Sequence, residues 1–430
     1  MGNKIPFFTI AAVAFLITGN LIGAGILGLP VNTGIDGMIP SLVAMVVFGG
    51  AMFFSAVVLG KEAIESREEN FNFPSLYQKY TGNIGKWVAI LANMLILYGL
   101  LTAYLTGGST IVCKIFDISE GFAKLVLVAI FLLLSGLTLS GNRIIHRFNA
   151  ILMILLWGSF AIIVFIGQRH VDPVRLTHAE WGFLPVAIPI IVTAFHFHNI
   201  IPNVCHSLDW NIKAVAKAML IGMIIGFLMN AIWIQVGIGM LPLAGGETSI
   251  IHCYQNNIPA NVPMAGIVNS NTFTLFSMLF ALLAIATSFV ANGIGLLGFN
   301  RDLLFNFLKV KSNWVVNCVT FLPPLVIALL YPDIFLKAIN VVGGVGIVTL
   351  FGILPCIIAF MKTKRKAVKV TSIVLLILFS AVLLLQLGED FGFIDIQPEQ
   401  DEVYQNVMDS FQHKALPMRP EIPGLDCAQQ

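Results

Sequence analysis

Charge is scarce in this sequence: only 11% of its 430 residues are Asp, Glu, Lys or Arg, whereas 57% are hydrophobic. Soluble proteins carry about a quarter charged residues, so a set of water-soluble domains is excluded. Paired cysteines are missing as well. Cys113, Cys205, Cys253, Cys318, Cys356 and Cys427 are scattered with no C-x-x-C, which argues against a disulfide framework or a zinc ribbon. A strong overall charge is also absent, since 24 basic and 22 acidic residues leave a formal net charge of +2. That sum says little about partners, because in a membrane protein the location of charge matters more than its total. No signal-peptide cleavage region follows the apolar run from Ile5 to Pro30, which therefore reads as a retained first span.

What is abundant is apolar sequence. Stretches of about 18 residues or more, each able to cross a hydrocarbon core as a helix, recur along the chain, and mean hydropathy is +0.90. Short alternating segments of the kind that build β-barrels are not present. The predicted class is an all-α membrane protein of eleven spans: 6–33, 39–60, 86–113, 122–140, 147–167, 184–206, 214–240, 271–298, 314–331, 334–361 and 367–387. A polar tail, 388–430, follows. Basic residues orient the scheme. With a cytoplasmic N-terminus, the outer links and tail hold only Lys114, Lys124, Arg169, Arg175, Lys337, Lys414 and Arg419 of the 24, and the odd span count places the tail outside. The long inner link 62–85 is expected to carry one short amphipathic helix. The long outer link 241–270, rich in Pro, Gly and Asn, reads equally as a cover over a vestibule or as a plain surface loop.

Two spans are built to break. The first contains Gly19, Gly23, Gly25, Gly28 and Pro30; Gly costs about 1 kcal/mol and Pro about 3 kcal/mol relative to Ala inside a helix. Unwinding is predicted near Ile22 to Gly25. Such backbone is tolerated at membrane depth only where it is buried in protein or lines a cavity, although glycines also serve simply to let helices approach. The sixth span carries Pro185, Pro189 and Pro202, with His196, His198 and Asn199 just before the last. A second break is predicted near Phe195 to Asn199. Paired breaks in spans one and six are the mark of an inverted repeat of five plus five spans, whose broken helices meet at the substrate site. Free N–H groups at the start of the far half of span one suit a carboxylate, and freed carbonyls in span six suit an ammonium. Together they point to an α-amino acid.

Three segments, GNLIGAGILGLP in span one, AFHFHNIIP in span six and ATSFVANGIGLLGFNRDLL in span eight, resemble the bacterial aromatic amino acid permeases. These form the tryptophan/tyrosine permease family of the amino acid, polyamine and organocation superfamily, and the resemblance runs the length of the chain. It implies a LeuT-type fold, with repeat one at about 6–167, repeat two at about 184–361 and an extra helix at 367–387. It also implies proton-coupled uptake of tyrosine or tryptophan across the bacterial inner membrane, no cofactor beyond the coupling ion, and alternating access by rocking of spans 1, 2, 6 and 7. Carried over by position, Ile22, Gly23, Ala24 and Gly25 would hold the carboxylate, and Phe195, Phe197, His198 and Asn199 would form the facing wall. Tyrosine permeases typically read F-G-F-H-G where this chain has Phe195-His196-Phe197-His198-Asn199, and that departure bears on which side chain is accepted.

His198, and after it His196, are the candidates for proton coupling, because imidazole titrates near neutrality and ionisable groups within a membrane default to functional roles. A neutral histidine satisfying carbonyls at the break is the plainer alternative. Sodium is the rival ion: Gly19, Ile22, Ala284, Thr287 and Ser288 match the second sodium site of the LeuT-type fold, while Ile26 cannot serve in the other. Hydroxyl back-bonding to the preceding turn is an equal explanation of Thr287 and Ser288. Asn93, Tyr98, Asn230, Gln235, Asn292 and Asn340 lie within spans, where interhelical bonding is their commoner role. Two other classes remain open. A metal-dependent membrane enzyme is prompted by His196, His198, Cys205 and His206, and a channel is opposed by the paired breaks. The expected partners are a small amino acid and lipid. No nucleic acid or obligate protein partner is implied.

Overall fold

The computed structural model describes residues 5–23, 25–67, 72–140, 142–306 and 309–396, with backbone alone for 142–150 and Asn306. All eleven expected spans are helical. Span one is α1 (Phe7–Leu21) and α2 (Gly25–Asp36), bent by 62° at the break. Spans two to five are α3 (Met38–Ser66), α4 (Phe73–Ile115), α5 (Glu120–Leu139) and α6 (Asn142–Gly167). Span six is α7 (Leu184–Ala194) and α8 (Ile201–Ser207), and span seven is α9 (Ile212–Met240). The link after it folds into α10 (Ile250–Gln255) and α11 (Asn261–Val268). Spans eight and nine are α12 (Asn271–Asn306) and α13 (Asn313–Leu330). Span ten runs from α14 (Phe335–Val341) through a π-helical stretch, Val342–Ile353, into α15 (Leu354–Lys362), and α16 (Lys366–Asp390) is span eleven. The molecule is an all-helical membrane protein with ten candidate spans among the described residues, eleven when the bent pair counts as one.

The short helix expected in link 62–85 is present, but it is joined to span three: α4 begins at Phe73 and kinks at Gly82, whose φ of 69° and ψ of −157° suit glycine. Spans differ in depth. In span ten 72% of the apolar window is buried and in span eleven 17%, so the first lies in the core and the second against lipid. Phe8, Phe15, Ile154 and Leu384, all exposed, face outward where lipid needs no polar partner. Span seven approaches span one closely because it offers glycine. A Cβ at Gly222 would lie 2.8 Å from the Ala14 carbonyl oxygen, and one at Gly237 would lie 2.3 Å from Pro30 Cβ. The link 241–270 is packed onto α2, with the Ala260 N–H donating to Leu27 O (2.9 Å) and Ile250 against Gly34.

Prolines inside these helices remove backbone donors, and at three carbonyls a distant side chain supplies the hydrogen bond instead. Pro30 leaves the carbonyl of Ile26 without its i+4 amide, and Trp233 Nε1 of span seven donates to that oxygen at 2.8 Å. Pro323 does the same to Val319, whose oxygen accepts from Tyr98 Oη of span three at 2.8 Å. In span ten the π register runs from Leu354 N–H to Thr349 O. The next donor in that register would be Pro355, and Tyr77 Oη supplies Leu350 O instead at 2.6 Å. With no water in the hydrocarbon, each such carbonyl must be satisfied by protein.

Candidate functional site

Span one breaks where its glycines cluster. The Ile22 N–H still bonds Thr18 O (3.0 Å), but φ −91° and ψ 60° at Ile22 end the helix, and α2 starts at Gly25. Ala24 lies outside the described residues. Gly19 and Gly28 sit within helices and act through close packing: a Cβ at Gly28 would come within 2.5 Å of Leu336 and 2.8 Å of Ile190. Span six breaks after Ala194. His196 N–H turns back to Thr193 O (3.1 Å), Phe197 takes φ −138° and ψ 10°, and one 3-10 turn at 198–200 leads into α8 with Pro202 in its first turn. Proline fits there because that position lacks an intrahelical donor role.

A cavity of ≈ 170 Å³ lies where the two breaks meet spans three and eight. One water needs about 10–15 Å³, so the space admits a small organic molecule. Gly19, Asn20, Gly23 and Gly25 line it from span one, Thr193, His196 and Asn199 from span six, Tyr104 from span three, and Thr287, Ser288 and Asn292 from span eight. Leu16, Leu21, Leu100, Met153 and Ala291 complete the described wall, and no Asp, Glu, Lys or Arg is among the described lining residues. Spans one and eight touch at the break, where a Cβ on Gly23 would stand 3.0 Å from Ser288 Oγ. Backbone dipoles, hydroxyls and amides supply the polarity.

Seven of the residues singled out in the sequence come together here: Gly19, Gly23, Gly25, His196, Asn199, Thr287 and Ser288. Others turn away. Ile22 is buried outside the lining, and Phe195 stacks on Phe227 at 6.5 Å. Phe197 packs against His198 at 5.1 Å. His198 is fully buried and directed at span two, its Nε2 2.8 Å from Ser55 Oγ and 3.2 Å from Met52 O. The His196 and His198 rings are parallel at 6.1 Å, and both stack on Phe351. Ala284 is buried, and its carbonyl and that of Leu283 receive the Thr287 hydroxyl at 3.3 and 2.8 Å. The four residues that prompted a metal-site reading diverge: Cys205 Sγ approaches Gly60 O (3.7 Å) and His206 packs on Trp210 (5.9 Å).

Asn20, Tyr104 and Thr193 escaped sequence reasoning, and Asn292 stood there as one of six undifferentiated polar residues. The structure separates four of those six. Tyr98 serves Val319 O, Gln235 pairs with Gln168, Asn340 accepts from Asn32 at 3.0 Å, and Asn292 reaches the cavity. The usable signal was spacing, since Asn292 lies one helical turn beyond Ser288 on the same face.

Residues 8–387 match the family described as the tryptophan/tyrosine permease family. The chain is 28% identical over 335 residues to tyrosine-specific transport system 1 of Haemophilus influenzae, covering 76% of this chain and 82% of that one. It is 26% identical over 369 residues to glutamine transporter 2 of Aliivibrio fischeri, covering 84% and 90%. Among solved structures, a manganese transporter from Eremococcus coleocola superposes with a TM-score of 0.58 at 15% identity, over 96% of this chain and 94% of that one. At that identity the likeness is one of fold.

Proposed function

The chain belongs to the tryptophan/tyrosine permease family, and from that premise we propose that it is a proton-coupled importer of an aromatic amino acid, tyrosine or tryptophan. It is a multi-pass membrane transporter and not an enzyme. The observation that carries the finer reading is the uncharged cavity at the meeting of two helix breaks. The substrate carboxylate sits at the start of α2, held by N–H groups at Gly23 and Gly25 and by the helix dipole. The ammonium meets carbonyls freed in span six, so a zwitterion is bound without a charged side chain.

Coupling follows from burial. A proton on His196, beside the cavity, or on His198, behind it, places a cation in a region without a counter-ion among the lining residues, which is costly. A bound substrate that accepts from the His196 N–H offsets part of that cost, so proton and substrate are taken up together. His198, bonded to Ser55 of span two, ties that event to the helix most directly placed to move. The architecture is a LeuT-type five-plus-five inverted repeat, 6–167 and 184–361, with 367–387 as an extra helix, and access alternates as spans 1, 2, 6 and 7 rock against the rest. The distribution of Lys and Arg supports a bacterial inner membrane setting with the N-terminus cytoplasmic and the 388–430 tail periplasmic.

A second reading has its own support. Gly19, Thr287 and Ser288 share the cavity and offer the hard oxygen ligands that sodium prefers, and the glutamine transporter among the relatives fits a different neutral substrate. One experiment separates the readings: counterflow and gradient-driven uptake of the twenty amino acids in proteoliposomes, with pH and sodium gradients imposed separately. Accumulation of tyrosine or tryptophan under the pH gradient alone is expected. No accumulation of any amino acid under either gradient overturns the function.

A further inference from the structure

We infer that Asn292, flanked by Asn199 and His196, forms a side-chain subsite that selects amino acids ending in a hydrogen-bonding group and rejects isosteres that lack one. This rests on the reading that the cavity binds an amino acid. Asn199, His196 and Asn292 come from two distant segments yet line one cavity. Each carries a buried polar atom with no hydrogen-bond partner among the described residues: Asn199 Oδ1, His196 Nε2 and Asn292 Oδ1. Unsatisfied buried polar atoms are destabilising; Asn230, Asn261 and Asn300 carry others outside the lining, and what sets these three apart is that their residues share one cavity able to hold a ligand.

The orientation of Asn292 is set by its neighbours. Its Nδ2 donates to Ser288 O at 2.9 Å and to Tyr104 Oη at 3.4 Å, which leaves Oδ1 as a free acceptor. Its position along span eight assigns it to the side chain and not the α-carbon end of the substrate. Ser288 abuts Gly23 at the break, where the carboxylate is received. Four residues of helix displace Asn292 from that point by about 6 Å, roughly the reach from an α-carbon to the end of a tyrosine or glutamine side chain. A donor there, a phenol O–H or a carboxamide N–H, completes Asn292 Oδ1, whereas phenylalanine or methionine leaves it unpaired. Sites built around such a bond discriminate far more strongly than apolar pockets do.

The test uses the full chain in proteoliposomes, with unlabelled tyrosine against phenylalanine, and glutamine against methionine, as competitors of counterflow. The polar member of at least one pair is expected to compete about tenfold or more better. In Asn292→Leu that ratio falls to within about threefold, with competition by the apolar member retained; Asn292→Ala serves if the leucine variant is unstable in a thermal-shift measurement. Equal competition within both pairs, or a ratio unchanged in the variants, overturns the inference while leaving the transporter reading intact. Failure of every amino acid to compete or exchange overturns the transporter reading and this subsite with it.

Discussion

Trp233→Phe tests whether the first span is held by a borrowed hydrogen bond. Pro30 has no N–H, so the Ile26 carbonyl depends on Trp233 Nε1 at 2.8 Å, and Trp233 is fully buried. Phenylalanine keeps an aromatic ring between Phe160 and Phe280, which lie 6.0 and 5.9 Å from the indole, but removes the donor. An unpaired buried carbonyl costs about 1–3 kcal/mol, and the lost ring atoms add about 1 kcal/mol, for a total of roughly 2–4 kcal/mol. Pro30→Ala restores a backbone N–H at the position that bonds Ile26 O within the helix. In that background Trp233→Phe is expected to lose only the packing part, about 1 kcal/mol. A double-mutant cycle read by denaturation of the detergent-purified protein measures the difference. Equal costs in the two backgrounds, within about 0.5 kcal/mol, would refute the reasoning.

Tyr98→Phe strips the donor from Val319 O and leaves Asn300 Nδ2 with Thr320 Oγ1 alone; a loss of about 1–3 kcal/mol is expected, and a neutral result in the same denaturation assay would contradict the proline account. Glu62 is buried, with Lys362 Nζ 2.7 Å from one carboxylate oxygen and Tyr80 Oη 2.7 Å from the other. Lys362→Met strands that carboxylate and should destabilise by about 2–4 kcal/mol, at or below the usual range because the lysine is partly exposed, whereas Glu62→Gln should cost about 1 kcal/mol. The reverse order in thermal unfolding would count against a buried pair. A Cβ at Gly343 would lie 2.0 Å from Pro189 O, while one at Gly50 meets nothing within 4 Å. Gly343→Ala should therefore lose about 1–3 kcal/mol or more and reduce uptake, with Gly50→Ala neutral or slightly stabilising, compared by yield and unfolding temperature. Burial pushes the Cys253 thiol up to about 12, so its thiolate is scarce near neutrality; maleimide at pH 7.5 should leave it intact in folded protein and label it after denaturation, as peptide mapping would show.

The spans and both breaks were legible because their causes are local. Hydrocarbon thickness sets the length of an apolar run, and glycine or proline weakens the helix where it stands. Unwinding near Ile22 to Gly25 and Phe195 to Asn199 follows from such residues, and the helices do end at Leu21 and Ala194. The closely related question of which histidine faces the substrate was not legible. In an unbroken helix each residue turns by a fixed angle and faces can be counted, but a break destroys that count. The contacts of its Nε2 with Ser55 and Met52 then hold His198 against span two, while His196 lines the cavity. Asn292 and Asn340 were hard to tell apart for a different reason: neither lies at those breaks, and the partners that separate them lie on other spans.

Sequence alone therefore determined where the helices run and where they fail, and even which carbonyls, those of Ile26 and Val319, would lose their donors to proline. Only the tertiary structure decided that Trp233 and Tyr98 replace those donors, and that His196, Asn199 and Asn292 share one cavity. Backbone propensity acts over a few residues, whereas a buried polar group in a membrane must find its partner in protein, however far along the chain that partner lies.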